Sequence, residues 1–311
     1  MLRDIEAGVR SGLAPKRRVS SGLTLDEIST RWLEAGRNRW APQTLDTRLR
    51  FVEKYIVPTL GGLIADAITT EQLTAWMDSL TLMPSTQRML IGIVRMIYNW
   101  SLARSLVTAN PVRDLKPPRV PRTIPHYLTP EQYASVLQIT TGDIRDGTII
   151  SVRTGVRAGE LLALQWSDVQ DTAIIVSRSL EKVTGRIGPP KGHRARRIPL
   201  HPEAKDVLDR RRPMRAAGRV LALTYHGWRH AITRALRAVG VEKGGPHLLR
   251  HTCASWWVQG GGSLQALQRL LGHATLDMTL VYAHLAPDSV EQEAARLWGH
   301  MGTSRTHDSA G

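Results

Sequence analysis

Residues 111–125 read PVRDLKPPRVPRTIP, and how this stretch is read fixes how the rest of the chain is divided. It holds five prolines and four cations and shows neither a helical nor a strand period of apolar residues. Proline fixes its own φ and removes a backbone donor, so such a run continues neither a helix nor a central strand. We therefore read 111–125 as an extended basic linker, with a folded domain expected on each side.

Upstream, residues 23–110 carry a helical pattern. Thr24 and Glu27 have capping-box spacing ahead of Ile28, Trp32 and Leu33, and Pro42 opens a second helix with Leu45, Leu49, Val52 and Ile56 on one face. A third helix carries Leu73, Trp76, Met77 and Leu80, and Pro84 begins a fourth with Leu90, Val94, Ile97 and Ser101. Four short helices predict a compact bundle with its own core. Downstream, Thr129 and Gln132 mark another capping box, so a second domain is expected over 126–287. Ala173–Val176 and Arg197–Leu200 read as short strands separated by a Gly- and Pro-rich turn, which predicts a small antiparallel element in an otherwise helical domain. The fold class is thus mainly α with a small β-hairpin or sheet. Residues 288–311 are expected to form a C-terminal helix and a disordered tail, with Val290, Ala294 and Leu297 at helical spacing.

At 311 residues, 42% apolar and 22% charged, the chain has room for two ordinary domains and no apolar run long enough to cross a bilayer. The segment 1–22 mixes acidic and basic residues without an apolar signal core, so a cytosolic protein is expected. A single cysteine, Cys253, excludes an intrachain disulfide and any multi-Cys zinc site. The formal charge of +15 points to a polyanionic partner, with nucleic acid foremost. The cations recur along the chain, among them Arg48, Arg50, Arg95, Arg196, Arg210, Arg211 and Arg234, as an extended footprint requires.

Three short patterns carry chemistry. In Thr154-Gly-Val-Arg157-Ala-Gly-Glu160, Gly155 ends one helix and Arg157 sits at the mouth of the next, where a guanidinium joins free N–H groups to outline an anion site. Taken alone, Arg157 and Glu160 could equally make only a local ion pair. In His247-Leu-Leu-Arg250-His251 the two histidines have metal-ligand spacing, yet the Arg between them would repel a divalent cation and no Glu stands there as in HExxH. An anion site fits better, with a structural histidine beside a surface Arg as the alternative. In Leu270-Leu-Gly272-His273, Gly272 stops a helix, and Thr275 is expected to cap a following helix that bears Tyr282. A phenol has a pKa near ~10 and attacks phosphate only where cations stabilise the developing charge and a base takes its proton.

In order, TGVRAGELLAL, the Lys191 turn ahead of RRIPL, HLLRHT, LLGH and a Tyr nine residues after that His resemble the active-site motifs of the tyrosine recombinases, or phage-type integrases. Leu248 departs from the pattern, since the family often has Asp after the His. The resemblance covers nearly the whole chain. It implies a helical core-binding (SAM-like) domain over 23–110 and a mixed α+β DNA breaking-rejoining catalytic domain. It also implies the catalytic residues: Arg157 and Arg250 gripping the scissile phosphate with His247, which would also be the general base. Lys191 would be the general acid, His273 a hydrogen-bond donor and Tyr282 the nucleophile forming a 3′-phosphotyrosyl link, with Glu160 as a brace. Neither metal nor cofactor is implied. The partners implied are double-stranded DNA carrying attachment-type sites, a homotetramer on that DNA, and DNA-bending accessory proteins, in the service of a phage or other mobile element. The alternatives are a type IB topoisomerase-like enzyme and a non-catalytic helix-turn-helix regulator. The segment 1–22 also resembles the stretch that follows an arm-binding domain in many phage integrases.

Overall fold

A computed structural model describes residues 22–120, 125–190, 194–212, 217–286 and 294. The N-terminal extension up to Ser21, Lys191, and the expected C-terminal helix apart from Ala294 lie outside these residues. The chain divides into two compact units, residues 1–121 and 122–311.

The first unit is helical. Helix α1 spans Leu25–Gly36, and its capping box is formed as the sequence predicts: Thr24 accepts from the Glu27 amide while Glu27 accepts from the Thr24 amide. Helix α2, Pro42–Phe51, continues through a wider π-helical turn, Val52–Ile56, into α3, Val57–Leu60. Helix α4 spans Thr70–Ser79 behind a Thr69–Gln72 capping box, and α5 spans Pro84–Leu102. The apolar faces meet in one core that includes Leu25, Ile28, Ile56, Leu73, Leu90 and Ile97. Within it the buried Tyr98 hydroxyl donates to the Ala65 carbonyl at 2.9 Å, joining α5 to the turn before α4. Arg48 lies flat against Trp40, its guanidinium carbon 3.9 Å from the ring centroid, so this cation covers aromatic surface and is not simply a solvated phosphate contact.

The linker differs from its expected form at its start. Val112 is buried in the helical core, and Arg95 from α5 donates to the Val112 and Leu115 carbonyls. The apolar residues between the first prolines account for this: Val112 and Leu115 pack on the helical core, whereas Val120, further on, is exposed.

The second unit opens with α6, Pro130–Ile139, and α7, Gly142–Thr154, followed by the short α8, Ala158–Ala163. Strand β1, Ala173–Val176, pairs antiparallel with β4, Arg196–Pro199, with Ile174 opposite Ile198 and Val176 opposite Arg196. Between them β2, Ser179–Leu180, and β3, Ile187–Gly188, form a second antiparallel pair. The antiparallel element is therefore present, one residue earlier at β4 than the sequence reading placed it. Among the described residues four longer helices follow: α9, Pro202–Arg211, α10, Tyr225–Ala238, α11, Pro246–Gln259, and α12, Leu264–Leu271. One core of Ile150, Leu161, Ile174, Ile198, Trp228, Leu249 and Leu267 lies beneath all of them.

Ile97→Ala should cost the first unit about 2–5 kcal/mol, because Ile97 is wholly buried and a cavity would remain. Tyr98→Phe should cost only about 1 kcal/mol, the net worth of one hydrogen bond. Denaturant titration of the first unit's transition should give that order, and equal losses would contradict it.

Candidate active site

Two helices of the second unit end on glycines in the left-handed region: α7 at Gly155, φ 65°, and α12 at Gly272, φ 67°. The two ends lie against each other, for a Cβ added at Gly155 would stand 2.7 Å from Leu271 Cδ2 and 3.1 Å from Cys253 Sγ. Glycine is thus required at 155 on two grounds, backbone conformation and close approach. Arg250, on α11, ties the ends together: Nη1 donates to the Gly155 carbonyl at 2.6 Å and Nη2 to the Leu271 carbonyl at 2.8 Å. Those carbonyls belong to the last turns of their helices, where intrahelical partners are lacking, so one buried side chain satisfies both. Burial, with the nearby charge of Arg157, lowers the Arg250 pKa to about 10, and it stays charged at neutral pH. Two of its five N–H donors are used here and three remain.

Arg157 stands at the N-terminus of α8. Its backbone N–H donates to Glu160 Oε2 at 2.8 Å, its Nη1 to Oε1 at 3.0 Å, and its Nη2 to the Gly272 carbonyl at 3.4 Å. Arg157 pairs with Glu160, as one of its two sequence readings has it, and still exposes a quarter of its side chain. Glu160 is almost completely buried and also accepts both Nη groups of Arg196, at 3.0 and 2.6 Å. Burial alone would raise its carboxyl; the hydrogen bonds and charge of Arg196, then those of Arg157, outweigh this and hold it below the usual carboxylate range. Arg196 further donates Nε to the Leu270 carbonyl at 2.9 Å.

Arg196 was expected within the phosphate footprint. The structure makes it a bridge from β4 to α8 and α12. Arg211 likewise is committed to Asp143 and Asp146. Their positions in the sequence gave no warning, because the acidic partners lie far along the chain.

Tyr282 lies not on an α-helix capped by Thr275 but in a 3₁₀ segment, Leu280–Leu285, that follows another at Leu276–Met278. Only a few residues separate Gly272 from Tyr282, and tight 3₁₀ turns fold them back over α11. The phenol is 3% exposed, and its oxygen is 2.6 Å from His251 Nδ1. Burial pushes its pKa up to about 12, with Arg250 opposing. His251 in turn is pushed down to about 4 by burial, His247 and Arg250. The His247 ring meets it edge to face, centroids 4.5 Å apart, and its own pKa is lowered by burial, Arg250 and Arg157. His273 Nδ1 is 2.9 Å from the Thr279 hydroxyl oxygen. Burial and then Arg250 and Arg157 push its pKa down to about 4.

Five of the six sequence-predicted site residues, Arg157, His247, Arg250, His273 and Tyr282, thus come together; the sixth, Lys191, lies outside the described residues. Glu160 braces two guanidiniums, those of Arg157 and Arg196. His251 is the residue whose place sequence reasoning missed. Its signal was its position one helical turn after His247, weighed only as metal spacing, and no cluster of three or more metal-ligating side chains occurs among the described residues. His247 and His251 open onto a cleft of about 450 Å³ that Lys243, Gly245 and His126 also line. Arg157, Arg196 and Arg250 against the single carboxylate of Glu160 leave this region positive, so it favours an anion.

Residues 126–289 match the phage integrase family, and residues 25–117 match the phage integrase central domain. The chain is 29% identical over 253 residues to the tyrosine recombinase XerC of Mycobacterium tuberculosis strain ATCC 25177 / H37Ra, covering 72% of this chain and 82% of that protein. XerC of Mycobacterium sp. strain JLS is likewise 29% identical over 281 residues, 81% of this chain and 90% of that one. Among solved structures, the Tn1549 transposon integrase in complex with a circular intermediate DNA aligns with a TM-score of 0.72 at 20% identity, over 89% of this chain and 99% of that one. A lambda integrase tetramer bound to a Holliday junction aligns with a TM-score of 0.69 at 19% identity, over 93% and 88%. These structures share the fold.

Two outcomes follow from the site's charges. Glu160→Gln should destabilise the second unit by about 3–5 kcal/mol, since it leaves two guanidiniums without their buried counter-charge; an unchanged unfolding midpoint would contradict this. His251 and His273 have folded pKa values near 4 against an ordinary 6.5. Between those pH values the unfolded chain binds protons that the folded chain refuses, so stability should fall as pH drops from about 6.5 to about 4. His273→Gln should flatten that slope in a series of thermal melts, and an unaltered slope would contradict the assignment.

Proposed function

The chain belongs to the phage integrase family, and on that premise we propose that this tyrosine recombinase, an enzyme that breaks and rejoins DNA strands, acts at attachment-type sites through a 3′-phosphotyrosyl intermediate. The observation that carries this reading is the convergence of Arg157, Arg250 and the Gly272–His273 turn beside the buried phenol of Tyr282, tied by hydrogen bonds from Arg157 to the Gly272 carbonyl and from Arg250 to those of Gly155 and Leu271.

Arg157 and the free N–H groups of Arg250 would bind the non-bridging oxygens of the scissile phosphate, with His247 and His273 beside them. Guanidiniums suit this task because each offers two N–H groups to phosphate oxygens as charge accumulates in the pentacoordinate transition state. Tyr282 attacks in line, the 5′-oxygen leaves with a proton from Lys191, and the phosphotyrosyl bond conserves the energy of the phosphodiester, so rejoining needs no nucleotide. Double-stranded DNA is the proposed partner, and the net charge of +15 supports it. The proposed assembly is four protomers exchanging strands through a Holliday junction, as the likeness to a lambda integrase tetramer on such a junction supports. The proposed setting is the cytosol and the service a phage or other mobile element. No helix among the described residues is long and apolar enough to cross a membrane.

The test uses a nicked suicide substrate, from which the cleaved fragment diffuses away and leaves protein covalently on DNA. Tyr282→Phe removes one oxygen and keeps the ring, so DNA binding and its steep salt dependence should persist while the adduct vanishes. An adduct formed by the Phe variant would contradict the assignment.

A further inference from the structure

We propose that His251, not His247, accepts the proton of Tyr282 as the phenol attacks phosphorus, an inference that rests on the proposed role of Tyr282 as nucleophile. The contact is already made: His251 Nδ1 stands 2.6 Å from the phenolic oxygen, with the rings tilted by 49°. With the imidazole proton on Nε2, the hydroxyl donates to Nδ1. The backbone fixes the geometry on both sides. His251 follows Arg250 on α11, and Arg250 is locked to the Gly155 and Leu271 carbonyls. Tyr282 is held by the 3₁₀ turn that packs on the same helix, its amide donating to the Thr279 carbonyl at 3.0 Å. His247 lies one helical turn back and touches His251 by ring packing.

The Tyr282 Oη–P bond forms and the P–O5′ bond breaks, with its electron pair leaving on O5′. The phenolic proton passes to His251 Nδ1, and O5′ takes a proton from the general acid. Rejoining runs the same path backwards, with the His251 imidazolium returning its proton to the departing phenolic oxygen.

The ionisation of the pair dictates when the proton moves. The phenol is held up at about 12 and the imidazole down at about 4, both mainly by burial. Prior formation of phenolate is therefore far uphill, and transfer has to accompany P–O bond formation, which strips the oxygen of its basicity. The groups around His251 are His247 and Arg250 of α11, Tyr282 opposite, and Lys243 and His126 in the same cleft. All but the phenol are cationic or become so on protonation, and they disfavour an imidazolium until a phosphodiester brings negative charge among them. A neutral imidazole at physiological pH that gains basicity only with DNA in place suits a base that works only on substrate.

The experiment measures single-turnover cleavage across pH with the full chain. It uses a natural suicide substrate and one whose bridging 5′-oxygen is replaced by sulfur, a leaving group that needs no proton. His251→Gln keeps a hydrogen-bond acceptor near the phenol but cannot take its proton; His251→Ala removes both. Both variants should bind DNA as the unaltered enzyme does, cleave at least about 10²-fold more slowly on both substrates, and lose the limb of the pH profile that rises as the base deprotonates. Three outcomes would overturn the proposal. Near-normal cleavage by the Gln variant would make His251 a positioning residue. Rescue by the sulfur substrate would make it the leaving-group acid. Loss of the same limb in His247→Gln but not in His251→Gln would return the base to His247. Failure of the underlying reading is separate, because it appears as an adduct in Tyr282→Phe.

Discussion

The guanidinium of Arg250 donates to the carbonyls of Gly155 and Leu271, and the rest of the catalytic unit is arranged around that pair of bonds. Each carbonyl closes a helix that stops on a left-handed glycine, so Arg250 supplies the partner that the helix geometry leaves out. Three segments distant in sequence, the α7–α8 turn, the start of α11 and the α12–Tyr282 turn, are thereby held at hydrogen-bonding distance. A neutral side chain at 250 would leave both carbonyls orphaned, and an Arg without them would be a buried charge in want of a partner. The arrangement is mutual, and it explains why the side chain is 2% exposed while its charge still reaches His247, His273 and Tyr282.

Glu160 completes the framework. Its carboxylate, between Arg157 and Arg196, compensates part of the positive charge and orients both guanidiniums, and what remains uncompensated is the charge proposed to meet the phosphate. Burial, reinforced by the same positive charge, holds the pKa values of His247, His251 and His273 down. In the proposed mechanism the two kinds of side chain divide the labour: the arginines carry charge at every working pH, while the imidazoles exchange protons.

Much of this was legible in the sequence because it is local. The capping boxes at Thr24 and Thr129, the prolines that open α2 and α5, and the glycines that end α7 and α12 are decided by a few neighbouring residues. The motifs around Arg157, Arg250 and Gly272 were legible as a set for the same reason. What escaped was long-range or shaped by short geometry. Nothing near Arg196 announces that its counter-ion is Glu160, and nothing near Arg211 points to Asp143. The turn bearing Tyr282 was read as an α-helix because 3₁₀ and α patterns look alike over a few residues. His251 was passed over because its partner, the phenol, lies thirty-one positions away. Val112 joined the helical core although a run of prolines surrounds it, since tertiary burial outweighs local composition.

The central claim is that the strand is held covalently by Tyr282 during exchange. The most direct measurement is to trap the protein on a nicked attachment-site duplex, digest both components, and identify by mass spectrometry the amino acid that carries nucleotide. The account predicts a single modified peptide containing Tyr282, linked through a 3′-phosphate. A nucleotide attached to any other residue, or a linkage through a 5′-phosphate, would contradict it.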